Sequence, residues 1–246
     1  MQKYFVSDDD FKNNKITSDD VFHISNVMRN KPGDLILVGN NKKSYISKII
    51  EINKTFVTYE IIEEKIGNTE LPVFVSIYQG YPKGDKLDDI IKHSTELGVY
   101  EIIPTIMKRS VFKLDEKKKE SKIIRFNKIA KEAAEQSERL IVPNIPDIKY
   151  LKKIDFSIYD YKILCYEEDA RNNELLQFKT IIKKLKQNDK LAIIVGPEGG
   201  IDNEELDYLK SIGFVSASLG PRILRTETAA FYALSAISYE MELKNE

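Results

Sequence analysis

The chain contains Ile193-Ile194-Val195-Gly196-Pro197-Glu198-Gly199-Gly200 and, further on, Leu219-Gly220-Pro221-Arg222-Ile223-Leu224-Arg225-Thr226-Glu227-Thr228-Ala229. Each stretch predicts an apolar strand that ends in a glycine-proline turn and continues into a helix. Glycine lets the backbone approach another group closely, and proline stiffens the turn. Two such turns at the same edge of a sheet predict a pocket that holds its ligand mostly through main-chain groups.

The segments around these turns alternate between strand and helix patterns. Strands are predicted at 73–79, 101–107, 161–166, 190–195 and 214–219, and helices at 84–97, 119–138, 173–187, 202–213 and 228–243. Asp202 and Glu205 have the spacing of a capping box at the start of one of these helices. Strict alternation predicts an α/β fold with a parallel sheet, helices on both faces and a glycine-lined crevice at the carboxyl edge.

The first part of the chain has a different pattern. Residues 34–39, 44–52 and 55–62 form β-branched runs separated by turn residues, and one short helix starts near Ser18. This pattern predicts a small barrel of about five or six strands. The segment 67–72 is the best candidate linker, so the predicted domains are residues 1–70 and 72–246.

Composition narrows the class of protein. The 246 residues carry a net charge of −1, which does not indicate a globally basic nucleic-acid binder, and no DNA partner is expected. No apolar run reaches the length of a membrane span, and residues 1–5 lack a signal-peptide pattern, so a cytoplasmic protein is expected. One cysteine, Cys165, and two histidines, His23 and His93, predict neither a disulfide nor a metal site.

The usual phosphate-binding loops are missing from the predicted positions. The first strand of the α/β part is followed by Gly80-Tyr81-Pro82-Lys83-Gly84-Asp85, which is not the dinucleotide-binding fingerprint. No lysine follows Gly200 in the manner of a nucleotide-binding P-loop. The glycine turns come late in the sheet, so a different ligand class is indicated.

The two quoted turns together resemble the RsmE-type methyltransferases of the SPOUT superfamily, which methylate N3 of a uridine in 16S ribosomal RNA of the small subunit. Segments 83–87, 94–98, 108–110, 133–139 and 27–29 are similar to the same family. The resemblance spans nearly the whole chain. It implies a SPOUT α/β domain with a C-terminal trefoil knot, a PUA-like β-barrel domain that binds RNA, bound S-adenosylmethionine, and a homodimer with sites at the subunit interface.

The resemblance also implies which residues contact the cofactor. They are expected to be Leu164, Gly196, Glu198, Gly200, Leu219, Gly220, Ile223, Leu224, Thr228 and Ala229. The leucines have core packing as the alternative interpretation, and the glycines could be simple turn residues. Thr226 and Thr228 are expected to cap the last helix, with the Thr228 hydroxyl a further site contact.

Arg225, Arg222 and Glu198 are the candidate catalytic residues. An arginine near a uracil carbonyl would stabilise the charge that develops as N3 loses its proton. The alternative is an ion pair of these arginines with Glu198 or Glu227. No general base is assigned, because His93, His23 and Cys165 are better explained by packing or surface positions.

RNA contacts are expected at Arg29, Lys83, Arg109 and Arg139, with Lys3 as a weaker candidate, because arginine and lysine neutralise phosphates. The expected partner is 16S ribosomal RNA or the small ribosomal subunit, with no membrane partner. Two other functions stay open from the residues: a SPOUT ribose 2′-O-methyltransferase acting on tRNA or rRNA, and a non-catalytic RNA-binding module.

Overall fold

The computed structural model describes residues 1–113, 115–166 and 176–244. Contacts divide them into two units, one of Met1–Glu70 with Lys131–Val142 and one of Leu71–Ala130 with Pro143–Glu246. Residues 131–142 therefore pack with the N-terminal segment although they are distant from it in sequence. The domain division at residues 70–72 remains a prediction.

The first unit is built on a five-stranded sheet. Its strands are β1 (Lys3–Phe5), β2 (Lys15–Ile16), β3 (Leu35–Gly39), β4 (Ser44–Ile52) and β5 (Val57–Glu64), in the order β1-β3-β4-β5-β2. β1 is parallel to β3, and the other neighbours are antiparallel. Helices α1 (Asp8–Lys12) and α2 (Asp19–Phe22) precede β3, and α2 continues as a π-helix over His23–Val27.

The core of the first unit lies between this sheet and the α2 segment. Val21 and Ile24 from the helical segment pack in one cluster with Tyr4, Ile49 and Tyr59 from the strands. All five side chains are buried, so apolar burial is the main force that holds the helical segment to the sheet.

Two cations of the first unit are buried as well. Arg139 is 2% exposed, and its guanidinium forms an ion pair with Glu70, with Nε donating to both carboxylate oxygens at 3.3 and 3.2 Å. Lys3 is 0% exposed and donates to Ser44 Oγ at 2.6 Å and to the Arg139 carbonyl. Buried charges need compensating partners: Arg139 has the Glu70 carboxylate, and the Lys3 ammonium has two neutral oxygen acceptors.

The second unit is built on a six-stranded parallel sheet. Its strands are β6 (Phe74–Gly80), β7 (Glu101–Ile106), β8 (Lys149–Tyr150), β9 (Tyr161–Cys165), β10 (Lys190–Val195) and β11 (Val215–Ala217), in the order β11-β9-β10-β6-β7-β8. The helices are α3 (Lys86–Glu96), α4 (Glu116–Gln136, of which residues 131–136 belong to the first unit), α5 (Leu176–Ile182), α6 (Asn203–Ser211) and α7 (Thr226–Ser238), and a π-helix over Tyr239–Leu243 extends α7. Within the described ranges, no helix is both long and apolar enough to cross a membrane.

Four strands of this sheet end at the same level. Val195 of β10 pairs with Gln79 of β6 on one side and with Cys165 of β9 on the other. Cys165 also pairs with Ala217 of β11. Because the strands are parallel, the turns that follow them leave the sheet at one edge.

Local signals set several helix ends. Gly98 and Gly213 follow α3 and α6 with φ of +87° and +92°, as expected for residues that end a helix. The Asp202 carboxylate caps α6 by accepting a backbone hydrogen bond at 3.2 Å. The capping box is wrong for Glu205, whose carboxylate accepts the Lys108 N–H at 2.8 Å and so ties α6 to the loop after β7.

Some elements differ from the sequence prediction. The sequence did not predict β1, β2, β8 or α1, because runs of two to five residues are too short for a periodic pattern. The helix predicted at 173–187 covers Leu176–Ile182, and residues 173–175 lie outside the described residues. The last helix begins at Thr226 rather than at residue 228.

Burial of Lys3 predicts a specific pH dependence of stability. Burial penalises its charge and lowers its pKa from 10.5 to about 8, although Glu70 opposes the shift. Between about pH 8 and pH 10.5 the unfolded chain keeps a proton that the folded chain has released, so the free energy of unfolding should rise with pH. Urea unfolding of a Lys3→Met variant should lack this rise, whereas Lys12→Met, on the exposed α1, should keep it. An identical pH dependence in wild type and Lys3→Met would contradict the assignment.

Candidate functional site

Two bends line one pocket of about 660 Å³ in the second unit. The first bend comprises residues 196–200 and follows β10, and the second bend comprises residues 218–225 and follows β11. They leave the same sheet edge because Val195 and Ala217 both pair with Cys165. The volume is in the range of small-molecule sites.

The first bend passes directly over the end of β6. Its turn is closed by the Gly200 N–H, which donates to the Pro197 carbonyl at 2.9 Å, with Gly200 at φ +72°. A Cβ on Gly80 would lie 2.4 Å from Pro197 N and 2.8 Å from the Gly196 carbonyl carbon. A side chain at position 80 would therefore displace the bend.

The second bend is held by its own first residue. The Ser218 hydroxyl donates to the Gly220 carbonyl at 2.8 Å and accepts the Gly220 N–H at 3.2 Å. These bonds stabilise Gly220 at φ +123°, a conformation that other residues rarely adopt. Gly220 thus directs the following residues, Arg222 to Arg225, along the pocket wall.

Thr226 joins the two bends. Its hydroxyl donates to the Gly196 carbonyl at 2.6 Å and accepts from Gln79 Nε2 at 2.7 Å. The predicted capping role of Thr226 is wrong, because the N-cap of α7 is Arg225, which makes no side-chain capping bond. The Thr226 hydroxyl, which the sequence assigned to a helix end, instead connects the first bend to β6.

A charged cluster lies at the pocket. Glu198 accepts from Lys86 Nζ at 2.9 Å and from the Lys83 N–H at 3.2 Å, and Lys86 lies 3.8 Å from Glu227. Burial alone would raise the pKa of Glu198, but the hydrogen bonds from Lys86 and the backbone hold it below its usual value. The hydrogen bond to Glu198 raises the pKa of Lys86. Both groups are therefore charged near neutral pH.

Arg222 and Arg225 both line the pocket with exposed side chains. The alternative interpretation, an ion pair with Glu198 or Glu227, is not what the structure shows, because Lys86 occupies that place. Within the part of the chain that the structure describes, neither guanidinium forms an ion pair. Both remain available to an anionic ligand.

The pocket offers few side chains that could act as a general acid or base. Among the described residues that line it, none is a histidine. His93 contacts Glu96 at 2.9 Å on α3, and His23 contacts the Tyr4 hydroxyl at 3.0 Å in the first unit. Cys165 lines the pocket, but burial raises the pKa of its thiol to about 12, so it is not a thiolate near neutral pH.

The structure brings together most of the predicted cofactor residues. Seven of them line the pocket: Gly196, Glu198, Gly200, Leu219, Ile223, Leu224 and Ala229. Leu164 is instead buried in the core beneath the sheet, as the packing alternative had it, and is not at the pocket wall. Gly220 and Thr228 are also outside the lining, and the cofactor contacts of these three residues stay predictions.

Two of the predicted RNA-contacting residues lie near the pocket. Arg109 lines it, donates from Nη1 to the Gly199 carbonyl at 3.3 Å, and has Nε 3.7 Å from the Asp202 carboxylate. Lys83 is exposed, and its backbone N–H contacts Glu198. Both side chains are at the surface, so their predicted contact with RNA is sterically open and stays a prediction.

The other two predicted RNA-contacting residues belong to the first unit and differ sharply. Arg29 is exposed and has φ of +56°. Arg139 is buried and ion-paired with Glu70, so its assignment to RNA binding is corrected to a structural role. Lys3 is corrected in the same way, because its ammonium is enclosed by protein acceptors.

The sequence did not predict several pocket residues. They are Lys86, Cys165, Tyr166, Val195, Pro197, Gly199, Ile201, Asn203, Ser218, Thr226 and Glu227. Pro197, Gly199, Thr226 and Glu227 lie inside the two quoted turns, so proximity to the named glycines could have identified them. Lys86 lies in the segment 83–87 that resembles the family, but its approach to Glu198 depends on the pairing of β6 with β10, which the sequence does not show.

Two family models match the chain. One, described as an RNA methyltransferase domain, covers residues 69–238, and one, described as an RNA methyltransferase PUA domain, covers residues 16–62. These matches confirm the predicted SPOUT-type α/β domain preceded by a PUA-like unit. The trefoil knot remains a prediction.

Known proteins are similar over almost the full length. The chain is 41% identical to ribosomal RNA small subunit methyltransferase E of Bacillus subtilis (strain 168), covering 99% of this chain and 98% of that protein. A ribosomal RNA small subunit methyltransferase E from Neisseria gonorrhoeae bound to S-adenosyl methionine superposes with a TM-score of 0.80 at 26% identity, covering 97% of each chain. A methyltransferase from Legionella pneumophila with bound S-adenosyl methionine gives 0.79 at 29% identity, covering 91% of this chain and 90% of that one. The chain therefore belongs to the ribosomal RNA small subunit methyltransferase E family.

Proposed function

We propose that this protein transfers a methyl group from S-adenosylmethionine to N3 of a uridine in 16S ribosomal RNA. The observation that carries the proposal is the pocket between the two bends, which is lined by glycines, by apolar residues and by Arg222 and Arg225, two arginines without an ion pair among the described residues. Relatives of this family have been solved with S-adenosyl methionine bound, which supports the same cofactor here.

The residues of the pocket fit this cofactor. Gly196 and Gly200 offer main-chain groups without side chains, and Leu219, Leu224 and Ala229 offer apolar surface for an adenine ring. Glu198 and Glu227 place two carboxylates beside the single ammonium of Lys86, which leaves negative charge in excess for a cationic ligand. When bound, the cofactor supplies an electrophilic methyl group on a sulfonium.

The role of the two arginines is electrostatic stabilisation of the transition state. A guanidinium placed against a uracil carbonyl stabilises the negative charge that forms as the N3 proton leaves. Arg222 and Arg225 can take this role because their side chains are exposed at the pocket and form no ion pair in the described structure. Glu198 is unsuited as a proton donor because its pKa is lowered. We assign no general base, and the proton leaves to water.

The proposal includes the partners and the compartment. The substrate is 16S ribosomal RNA, free or in the small subunit, and the protein acts as a homodimer in the cytoplasm. A subunit interface is supported by three large side chains that are exposed along the C-terminal helical segment, Tyr232, Tyr239 and Leu243. Exposed Phe22 and Met28 beside Arg29 support RNA contact by the first unit.

The reaction can be tested directly. We expect protein, S-adenosylmethionine and 16S ribosomal RNA to yield 3-methyluridine in nuclease digests analysed by mass spectrometry. A ribose-methylated nucleoside would instead favour the 2′-O-methyltransferase. If a calorimetric titration with S-adenosylmethionine gave no binding, the non-catalytic RNA-binding module would be the function.

Arg225→Ala should lower kcat by about a hundredfold, because a preorganised charge partner is lost. The dissociation constant for S-adenosylmethionine should change by less than about threefold, since such a group acts on the transition state rather than on cofactor binding. The matched control is Arg125→Ala, an exposed arginine of the same unit that pairs with Asp88 outside the pocket lining. Single-turnover methylation measures both variants, and a wild-type kcat for Arg225→Ala would remove Arg225 from the mechanism.

Arg29→Ala should weaken RNA binding and reduce the slope of log affinity against log salt by about 1, because one phosphate contact is lost. Affinity for S-adenosylmethionine should not change. Lys12→Ala, which removes an exposed charge elsewhere on the first unit, is the control. Fluorescence anisotropy at several salt concentrations measures the slope, and an unchanged slope for Arg29→Ala would mean that RNA binds elsewhere.

A further inference from the structure

We infer that Thr226 and Gln79 form a positioning pair that sets the spacing of the two bends and so controls cofactor affinity. The inference rests on the proposed binding of S-adenosylmethionine in this pocket. Both residues are buried. Gln79 on β6 is 0% exposed, and Thr226 at the start of α7 is 8% exposed. Neither residue is among those that the sequence assigned to the site.

The direction of each hydrogen bond in this pair is fixed. Gln79 Nε2 donates to its neighbour's carbonyl, Gly80 O, at 3.1 Å and to Thr226 Oγ1 at 2.7 Å. The opposite amide orientation would set two acceptor oxygens, Gln79 Oε1 and Gly80 O, against each other. Because the Thr226 oxygen accepts from Gln79, its own proton is directed to the Gly196 carbonyl at 2.6 Å.

This chain of bonds connects three segments that the pocket needs. Gln79 belongs to β6, Gly196 begins the first bend, and Thr226 follows the second bend. Gly196 and Thr226 both line the pocket, so the bond between them lies at the pocket wall. Strand pairing brings the two bends to one sheet edge, and the Thr226 hydroxyl adds a direct bond from the end of the second bend to the first.

The pair is sensitive to loss of that hydroxyl. Gln79 Oε1 is buried and has no hydrogen-bond partner in the described structure, so the amide is held through its NH2 group alone. Without the Thr226 hydroxyl, one donor of Gln79 and the Gly196 carbonyl each lose a partner. Unsatisfied buried groups are costly, and the first bend can regain a partner only by moving.

A set of variants separates positioning from general stabilisation. Thr226→Val keeps the shape of the side chain and removes the hydroxyl, whereas Thr226→Ser keeps the hydroxyl. Thr95→Val is the control, because Thr95 is a buried residue of α3 whose hydroxyl bonds to the Ile91 carbonyl away from the pocket. Calorimetry with S-adenosylmethionine, thermal unfolding and methylation kinetics are measured on each full-length variant.

We expect Thr226→Val to raise the dissociation constant for S-adenosylmethionine and the KM for it by about tenfold, a loss typical of one buried hydrogen bond. At saturating cofactor kcat should stay within about threefold, because the reacting groups are unchanged. Thr226→Ser should bind like wild type to within about threefold. Thr95→Val should lower the melting temperature and leave cofactor affinity unchanged.

A double-mutant cycle tests whether the two residues act as a pair. Gln79→Met should weaken cofactor binding, and combining it with Thr226→Val should add little, because both remove the same chain of bonds. Gln79→Met also carries the test if Thr226→Val does not fold. The inference is overturned if wild type binds S-adenosylmethionine and Thr226→Val binds it within about twofold, or if the two substitutions are additive. If wild type itself does not bind, the proposed function fails instead.

Discussion

The pocket depends on one close approach between two backbone segments. At the end of β6, Gly80 lies so near the first bend that an added Cβ would come within 2.4 Å of Pro197 N. Hydrogen bonding between β6 and β10 fixes this approach, because Gln79 pairs with Val195 immediately before both segments leave the sheet. Position 80 therefore tolerates no side chain without moving the bend. The position of the ligand site therefore depends first on strand register and only then on the side chains.

The charges around the pocket divide into a satisfied group and an available group. Lys86 neutralises Glu198 and stands near Glu227, so this lysine holds the loops and does not face a ligand as a free cation. Arg222 and Arg225 have no such partner in the described structure. A guanidinium stays charged at every physiological pH and binds planar oxygen acceptors well. The division leaves Arg222 and Arg225 as the pocket cations that form no ion pair in the described structure.

The parts of this site that the sequence predicts are those with a local physical signature. Glycine-proline turns after apolar strands predicted both bends, and parallel pairing then placed them at one edge. The role of Thr226 was not predicted, because its hydroxyl donates to a carbonyl thirty residues away, whereas its position in the sequence fits a helix cap equally well. The role of Glu205 was missed for the same reason, since its carboxylate accepts a long-range hydrogen bond from the Lys108 N–H instead of forming the local bond of a capping box. Leu164 was expected at the cofactor from the family resemblance, and its side chain packs in the core, which was the alternative interpretation of an apolar strand residue.

From residue type alone, the buried arginine of the first unit, Arg139, could not be distinguished from the exposed one, Arg29. Arg139 is enclosed because Glu70, far from it in sequence, supplies a buried carboxylate, and no pattern near residue 139 predicts that partner. Arg29 stands at φ +56° after the π-helix, where the Asn30 N–H returns to the Ile24 carbonyl at 3.0 Å. Glycine is the usual residue at such a helix end, and another residue costs about 1 kcal/mol there. Arg29 is exposed at this helix end and Arg139 is enclosed, so two arginines of one unit that look alike in sequence differ in burial because of their tertiary surroundings.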